Sequence, residues 1–193
     1  MTLTLVSTHT VPVEGATVAA IEILTGIDAT YDEYQFHFYN MHPVTNGTDW
    51  QFQVDTGTNT NWDMYITSSA FNAWHLEEAT GSSASSEYQQ GDDQQNADRA
   101  YQNLTGTVGS DAPEGLSGVM SLFAPASDAF LKHWISRCAQ REEDYIRDHI
   151  RSGMIGTAAY DAGSGETTAI TRIRFRFESG NIATGVIKMF GVK

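Results

Sequence analysis

The chain has 193 residues, of which 40% are hydrophobic and 11% aromatic, enough for one domain with a sizeable core. Its 11 Lys and Arg against 24 Asp and Glu give a formal net charge of −13, which excludes a surface built to neutralise nucleic-acid phosphates and disfavours anionic membranes. No apolar run approaches the roughly 18 residues of a spanning helix, and the single cysteine, Cys138, leaves no intrachain disulfide.

Taken in chain order, the first strand is predicted over Thr2–Thr10, inside an N-terminal strand or arm at 1–14. Its Thr2-Leu3-Thr4-Leu5-Val6 opening lacks the basic start and apolar segment of a signal peptide, so synthesis and assembly in a cytoplasm are expected. Strands follow over Thr17–Leu24, Glu33–Met41 and Asp49–Asp55. Tyr34, Phe36 and Phe38 alternate with Gln35, His37 and Tyr39, and Trp50, Phe52 and Val54 repeat the pattern after the turn signal Pro43–Gly47. This spacing predicts an antiparallel hairpin.

Further strands are expected over Asn61–His75, Ala100–Thr107, Gly118–Ala124, Leu131–Gln140, Tyr145–Ser152 and Gly156–Tyr160. A long polar loop is expected at 81–97, where Ser, Gln, Asp and Gly dominate; it and the segment before Gly15 are the candidate contacts between subunits. The stretch Asp144–Arg151 fits either a helical turn, with Ile146 and Ile150 four apart, or a strand paired with Leu131–Gln140. The last two strands read as a second hairpin: Thr171, Ile173, Phe175 and Phe177 alternate with Arg172, Arg174 and Arg176, then Ser179-Gly180-Asn181 turns into Gly185–Val192. The sum is an all-β chain of about ten to twelve strands in a two-sheet antiparallel β-sandwich, one domain over 1–193.

Catalytic signatures do not emerge. Gly163-Ser164-Gly165 does not sit between a strand and a helix as a phosphate loop must, and the six histidines, at positions 9, 37, 42, 75, 133 and 149, lack HExxH or paired zinc spacing. Asp28, Asp32 and Glu33, and the group Gly91-Asp92-Asp93 with Asp98, read as solvated acidic turns rather than calcium loops. Glu142, Glu143 and Asp144 among Arg137, Arg141, Arg147 and Arg151 read as a solvent-facing ion-pair set. No catalytic residue, metal or cofactor is expected. Cys138 shares a face with Trp134 and reads as a small buried hydrophobe, and Trp50 and Trp134 read as core.

The candidate binding residues are aromatic and basic. Trp62, Tyr65 and Trp74 could stack on sugars or fill a subunit interface, where such rings are enriched. The stripe Arg172, Arg174, Arg176 reads either as a basic interface to an acidic patch on another copy or partner, or as a solvent-exposed face that guards a sheet edge.

Three segments carry a family resemblance: the opening Thr4-Leu5-Val6-Ser7, the block Gly26-Ile27-Asp28-Ala29-Thr30-Tyr31-Asp32-Glu33-Tyr34 followed by Phe52-Gln53-Val54, and the ending Ser179-Gly180-Asn181-Ile182 through Val192. Together they resemble a group of marine tailed-bacteriophage virion structural proteins of jelly-roll type. Phe190 stands where that group usually has Tyr before the final Gly. The resemblance implies a structural subunit, such as a capsid decoration, head-fibre or tail-appendage protein, located in the virion as a homo-oligomer and docked on other virion proteins. It implies no catalytic residues. A carbohydrate-binding module of a tail appendage is the alternative reading, and a glycosidase with two facing carboxylates a third.

Overall fold

The computed structural model describes residues 2–11, 16–58, 61–77, 83–94, 99–156 and 167–193. Within them lie β1 (Leu3–Val11), β2 (Ile21–Ile23), β3 (Glu33–Pro43), β4 (Thr48–Asp55), β5 (Ile66–Leu76), β6 (Ala84–Tyr88), β7 (Gln102–Val108), β8 (Gly115–Phe123), β9 (Lys132–Glu142), β10 (Tyr145–Ile155), β11 (Arg172–Phe177) and β12 (Ile182–Val192). They form an antiparallel β-sandwich. One sheet has eight strands in the order β1-β12-β3-β8-β9-β10-β5-β6, and the other has four in the order β2-β11-β4-β7. The expected strand at Gly156–Tyr160 lies outside the described residues apart from Gly156.

The alternation read from the sequence sets the core. Tyr34, Phe36 and Phe38 of β3 face Trp50 and Phe52 of β4 and Ile173, Phe175 and Phe177 of β11, all of them buried. Phe175 stands 5.4 Å from Phe36 and 5.1 Å from Phe38, ring to ring, and Trp50 stands 5.8 Å from Phe38. Such tilted and edge contacts between sheets add about 0.5–1.5 kcal/mol each beyond burial.

Neither expected hairpin forms. β3 and β4 lie in different sheets, as do β11 and β12, so each turn is an arch that carries the chain across the sandwich. Alternation dictates which side chains point inward but not whether the next strand pairs beside or opposite; two inward faces meeting across the core satisfy the same pattern. The arches pack side by side: Val44 N donates to Asn181 O at 2.9 Å and Ser179 N donates to Thr48 Oγ1 at 3.0 Å. Gly180, at φ +71°, leaves no room for a Cβ against Thr45.

Other boundaries also move. Asp144–Arg151 is strand, because β9 and β10 form a tight hairpin in which Glu142 pairs with Tyr145. The polar loop expected at 81–97 contains β6, which pairs with β5 from His75–Ala84 to Phe71–Tyr88. β6 is exposed along its length, so no apolar alternation marks it; backbone pairing and the Tyr88 ring against Phe71 hold it.

The two halves of the resemblance motif meet in space. Tyr34 Oη donates to Asp28 Oδ1 at 3.0 Å and Asp28 Oδ1 accepts from Thr30 N at 2.8 Å, so the Gly26–Tyr34 block closes on itself. The Thr30 hydroxyl and amide hold the Asp28 carboxyl below its ordinary range, and burial pushes the Tyr34 phenol up to about 12. Against this clasp lies β12: Asp32 N donates to Val192 O at 3.1 Å, and a Cβ on Gly191 would stand 2.3 Å from the Tyr31 ring. Gly26, at φ +91°, packs on Met189 and Val6. The motif is a packing device that locks β12 to the turn before β3.

Candidate functional site

The arginine stripe is neither an edge guard nor a bare surface. β11 is an inner strand, between β2 and β4, and the three side chains are half-buried. Arg176 lies over the Tyr101 ring at 3.8 Å, and Arg174 lies 5.9 Å from both Tyr101 and Trp62. Arg174 Nε approaches Glu22 Oε1 at 3.4 Å, a charge contact without hydrogen-bond geometry, and Arg172 lies 3.9 Å from the buried Asp55. The mutual repulsion of like charges on one strand face is offset by these ring and carboxylate partners.

The aromatic candidates do not share a groove. Trp62 is buried at 6% exposure, contrary to the open position expected for it, because residues 61–65 fold over the outer face of the small sheet. Gln53 Nε2, on that face, donates to Met64 O at 3.0 Å, fixing the cover in place. Tyr65 lies under the Arg99 guanidinium at 4.3 Å, and Arg99 also donates to Asp63 Oδ2 at 3.1 Å. Trp74 belongs to β5 of the other sheet and packs edge-on to Tyr145 at 5.6 Å. Trp50, Trp134 and Cys138 are core as expected, and burial pushes the Cys138 thiol up to about 12.

A buried polar network escaped sequence reasoning. On β10, His149 and Arg151 point into the sandwich and are fully buried. Arg151 donates through Nη1 to Phe71 O at 2.6 Å and Asn72 Oδ1 at 2.9 Å, and through Nη2 to Asp92 Oδ2 at 2.7 Å. Asn72 Oδ1 also lies 2.8 Å from His149 Nδ1. Asn103 Nδ2 of β7 then donates to Asp49 Oδ2 at 2.8 Å and to Asp92 Oδ1 at 3.3 Å. Asp92 is therefore no solvated turn and Arg151 no surface ion-pair member. Burial, with the Asp92 charge beside it, pushes the Asp49 carboxyl up to about 7; burial, with Arg151 and Arg147, holds the His149 imidazole down at about 3. The register with β9 was the missing signal, since Cys138 opposite His149 and Ser136 opposite Arg151 put all four on the inner face.

Inward polar groups leave some apolar residues of the same strands outside. Ile150 of β10 is paired with Phe71 of β5, which is paired with Tyr88 of β6, and Ile135 lies on the neighbouring β9. All four are about half-exposed, and the Phe71 and Tyr88 rings meet at 5.3 Å. Arg137 continues the row on β9, directly opposite Ile150, and is paired to Asp148 through Nη2 to Oδ2 at 2.7 Å and Nε to Oδ1 at 3.0 Å. This face is the candidate interaction surface: the apolar row Ile150, Phe71 and Tyr88, with Ile135 diagonal to it beyond Arg137, on a sheet face that ordinarily carries polar residues.

Among the described residues, no three or more His, Cys, Asp or Glu gather to hold a metal ion, and no helix is long and apolar enough to cross a membrane. No family model, curated protein or solved structure matches the chain.

Proposed function

We propose that the chain is a non-enzymatic structural subunit of a tailed-bacteriophage virion, acting by self-association and by docking on other particle proteins. The observation that carries this reading is the Ile135–Ile150–Phe71–Tyr88 strip, apolar surface that association would remove from water at roughly 25 cal/mol per Å². The strand order supports the jelly-roll part of the proposal. With the hairpins β5–β6 and β9–β10 set aside, the remaining strands run β1-β12-β3-β8 in one sheet and β2-β11-β4-β7 in the other. That order is what results when a long folded-over ribbon wraps around two sheets, an arrangement common in capsid proteins. The two extra hairpins join as β9-β10-β5-β6, widening one sheet and carrying the apolar strip.

The experiment is to purify particles of the phage that encodes the chain on a density gradient and to quantify the chain in them by mass spectrometry. Many copies per particle are expected. Absence from the particle band would overturn the proposal, and a lysine at Ile150 that leaves incorporation unchanged would remove the strip from it.

A further inference from the structure

The sandwich has four strand edges, and they are managed differently. β2 is three residues long and carries Glu22; β6 carries Glu87 in a five-residue strand; β7 is covered by the segment bearing Asp92, whose carbonyl accepts from Gln102 Nε2 at 3.0 Å. Short length, charge and covering are the devices that keep sheet edges from pairing. Among the described residues, β1 has none of these. It runs nine residues, Leu3-Thr4-Leu5-Val6-Ser7-Thr8-His9-Thr10-Val11, without charged residue or proline, and pairs among the described residues only with β12. About 30 Å of backbone edge is thus available for pairing.

A slip in its register shows which partner fits. Leu5 pairs with Phe190 and Ser7 with Met189, so Val6 is an extra residue, and the strand changes inward parity there. Leu3, Leu5, Thr8 and Thr10 face out and are exposed, whereas Val6 packs on the core and Val11 is buried within it. In antiparallel pairing, opposed residues share a face. The pairing that matches faces with a second β1 sets Leu3 opposite Thr10, Leu5 opposite Thr8 and Thr4 opposite His9, with the bulge at its centre. One strand is therefore complementary to itself about a two-fold axis. In a chain of net charge −13, this neutral strip is also a place where two copies meet without like charges opposed on the strands.

We propose that β1 is a homodimer interface, in which two copies pair their β1 edges antiparallel and join two eight-stranded sheets into one continuous sheet. This deepens the structural-subunit reading and rests on it only in taking self-association as the mode of action. The interface is isologous, with each copy giving the other the same backbone donors and acceptors.

The test is sedimentation of the full chain across concentration, alongside the double variant Leu5→Lys/Thr8→Lys. Both lysines point to solvent in a monomer, so far-ultraviolet circular dichroism is expected to stay unchanged while the dimer is lost. Ser85→Lys on the β6 edge is expected to leave the dimer intact. A second variant, Leu5→Cys/Thr8→Cys, is expected to form disulfide-linked dimers on oxidation. These positions lie about 10 Å apart within one strand, too far to bridge each other, and close across the two-fold axis. A wild-type chain that remains monomeric, lysines that leave the dimer untouched, or cysteines that do not cross-link would each overturn the interface. If the lysines unfold the chain, the cysteine result decides. A chain that enriches with particles yet ignores these substitutions retains the structural-subunit reading and loses this interface.

Discussion

The two ends of the large sheet bury opposite kinds of side chain. Where β12, β3 and β8 face the small sheet, the interior is Phe36, Phe38, Phe175 and Trp50, held by shape and ring contacts. Where β10 and β5 continue beyond, the interior is Arg151, His149 and Asn72, held by directional bonds to a loop carboxylate and a peptide carbonyl. The first kind of interior tolerates small shifts, because dispersion and area change gradually with distance. The second does not. A buried polar group without a partner costs about 1–3 kcal/mol for each unmade bond, and Gln140, Ser136 and His149 Nε2 have side-chain atoms with none among the described residues. The apolar end therefore supplies stability, and the polar end dictates one particular placement of the segment bearing Asp92.

Breaking the apolar end should have the largest effect. Trp50→Ala is expected to cost about 3–5 kcal/mol, read as a lowered denaturation midpoint, because it opens a cavity among Phe38, Phe175 and Phe177. Trp50→Phe should cost much less, since the indole N–H it removes has no partner among the described residues.

The polar end should answer to chemistry rather than size. Arg151→Ala is expected to cost about 3 kcal/mol by leaving Asp92 without its counter-charge, while Arg151→Met in an Asp92→Leu background should recover most of it. A double variant no more stable than Arg151→Ala would mean that packing, not charge pairing, dominates there.

The smallest effects are titrations, and they have opposite signs. Asp49 keeps its proton up to about pH 7 when folded, whereas unfolded it loses the proton near 4, so its contribution falls as pH rises through that window. His149 refuses a proton down to about pH 3 when folded, whereas unfolded it takes one near 6.5, so its contribution is lost as pH falls from 6.5 towards 3. The two oppose each other between about pH 4 and 6.5. Asp49→Asn is expected to raise stability above pH 7 and to change little at pH 4, while His149→Gln is expected to flatten the acid limb. Thermal melts from pH 4 to 8 check both, and matching pH profiles for wild type and variants would show that neither group is coupled to folding.

The apolar end was legible in the sequence and the polar end was not. Alternation in β3, β4 and β11 identified the inward rings because burial repeats every second residue. In β10 the same rule misleads: Ile146 and Ile150 look inward by type, but the pairing of β10 with β9 and β5 turns Arg151 and His149 inward and Ile150 out. A charged residue moves inside only when a partner from elsewhere meets it, and Asp92 lies 59 positions away. β6 was missed for a related reason, having neither apolar alternation nor aromatic content beyond Tyr88. Both arches were mistaken for hairpins because turn chemistry announces a change of direction and is silent about the sheet that receives the next strand.

The pairing of β1 with β12 has a kinetic consequence. The register joins Leu3 to Val192, so the first of the twelve described strands to be synthesised has no place in the sheet until the last of them has followed. Until then about nine residues of neutral, pairing-competent backbone wait in the company of other nascent chains, the situation in which sheet proteins misassemble. Closing so long a loop is also slow. Completion of this sheet should therefore wait for β12 and be slow.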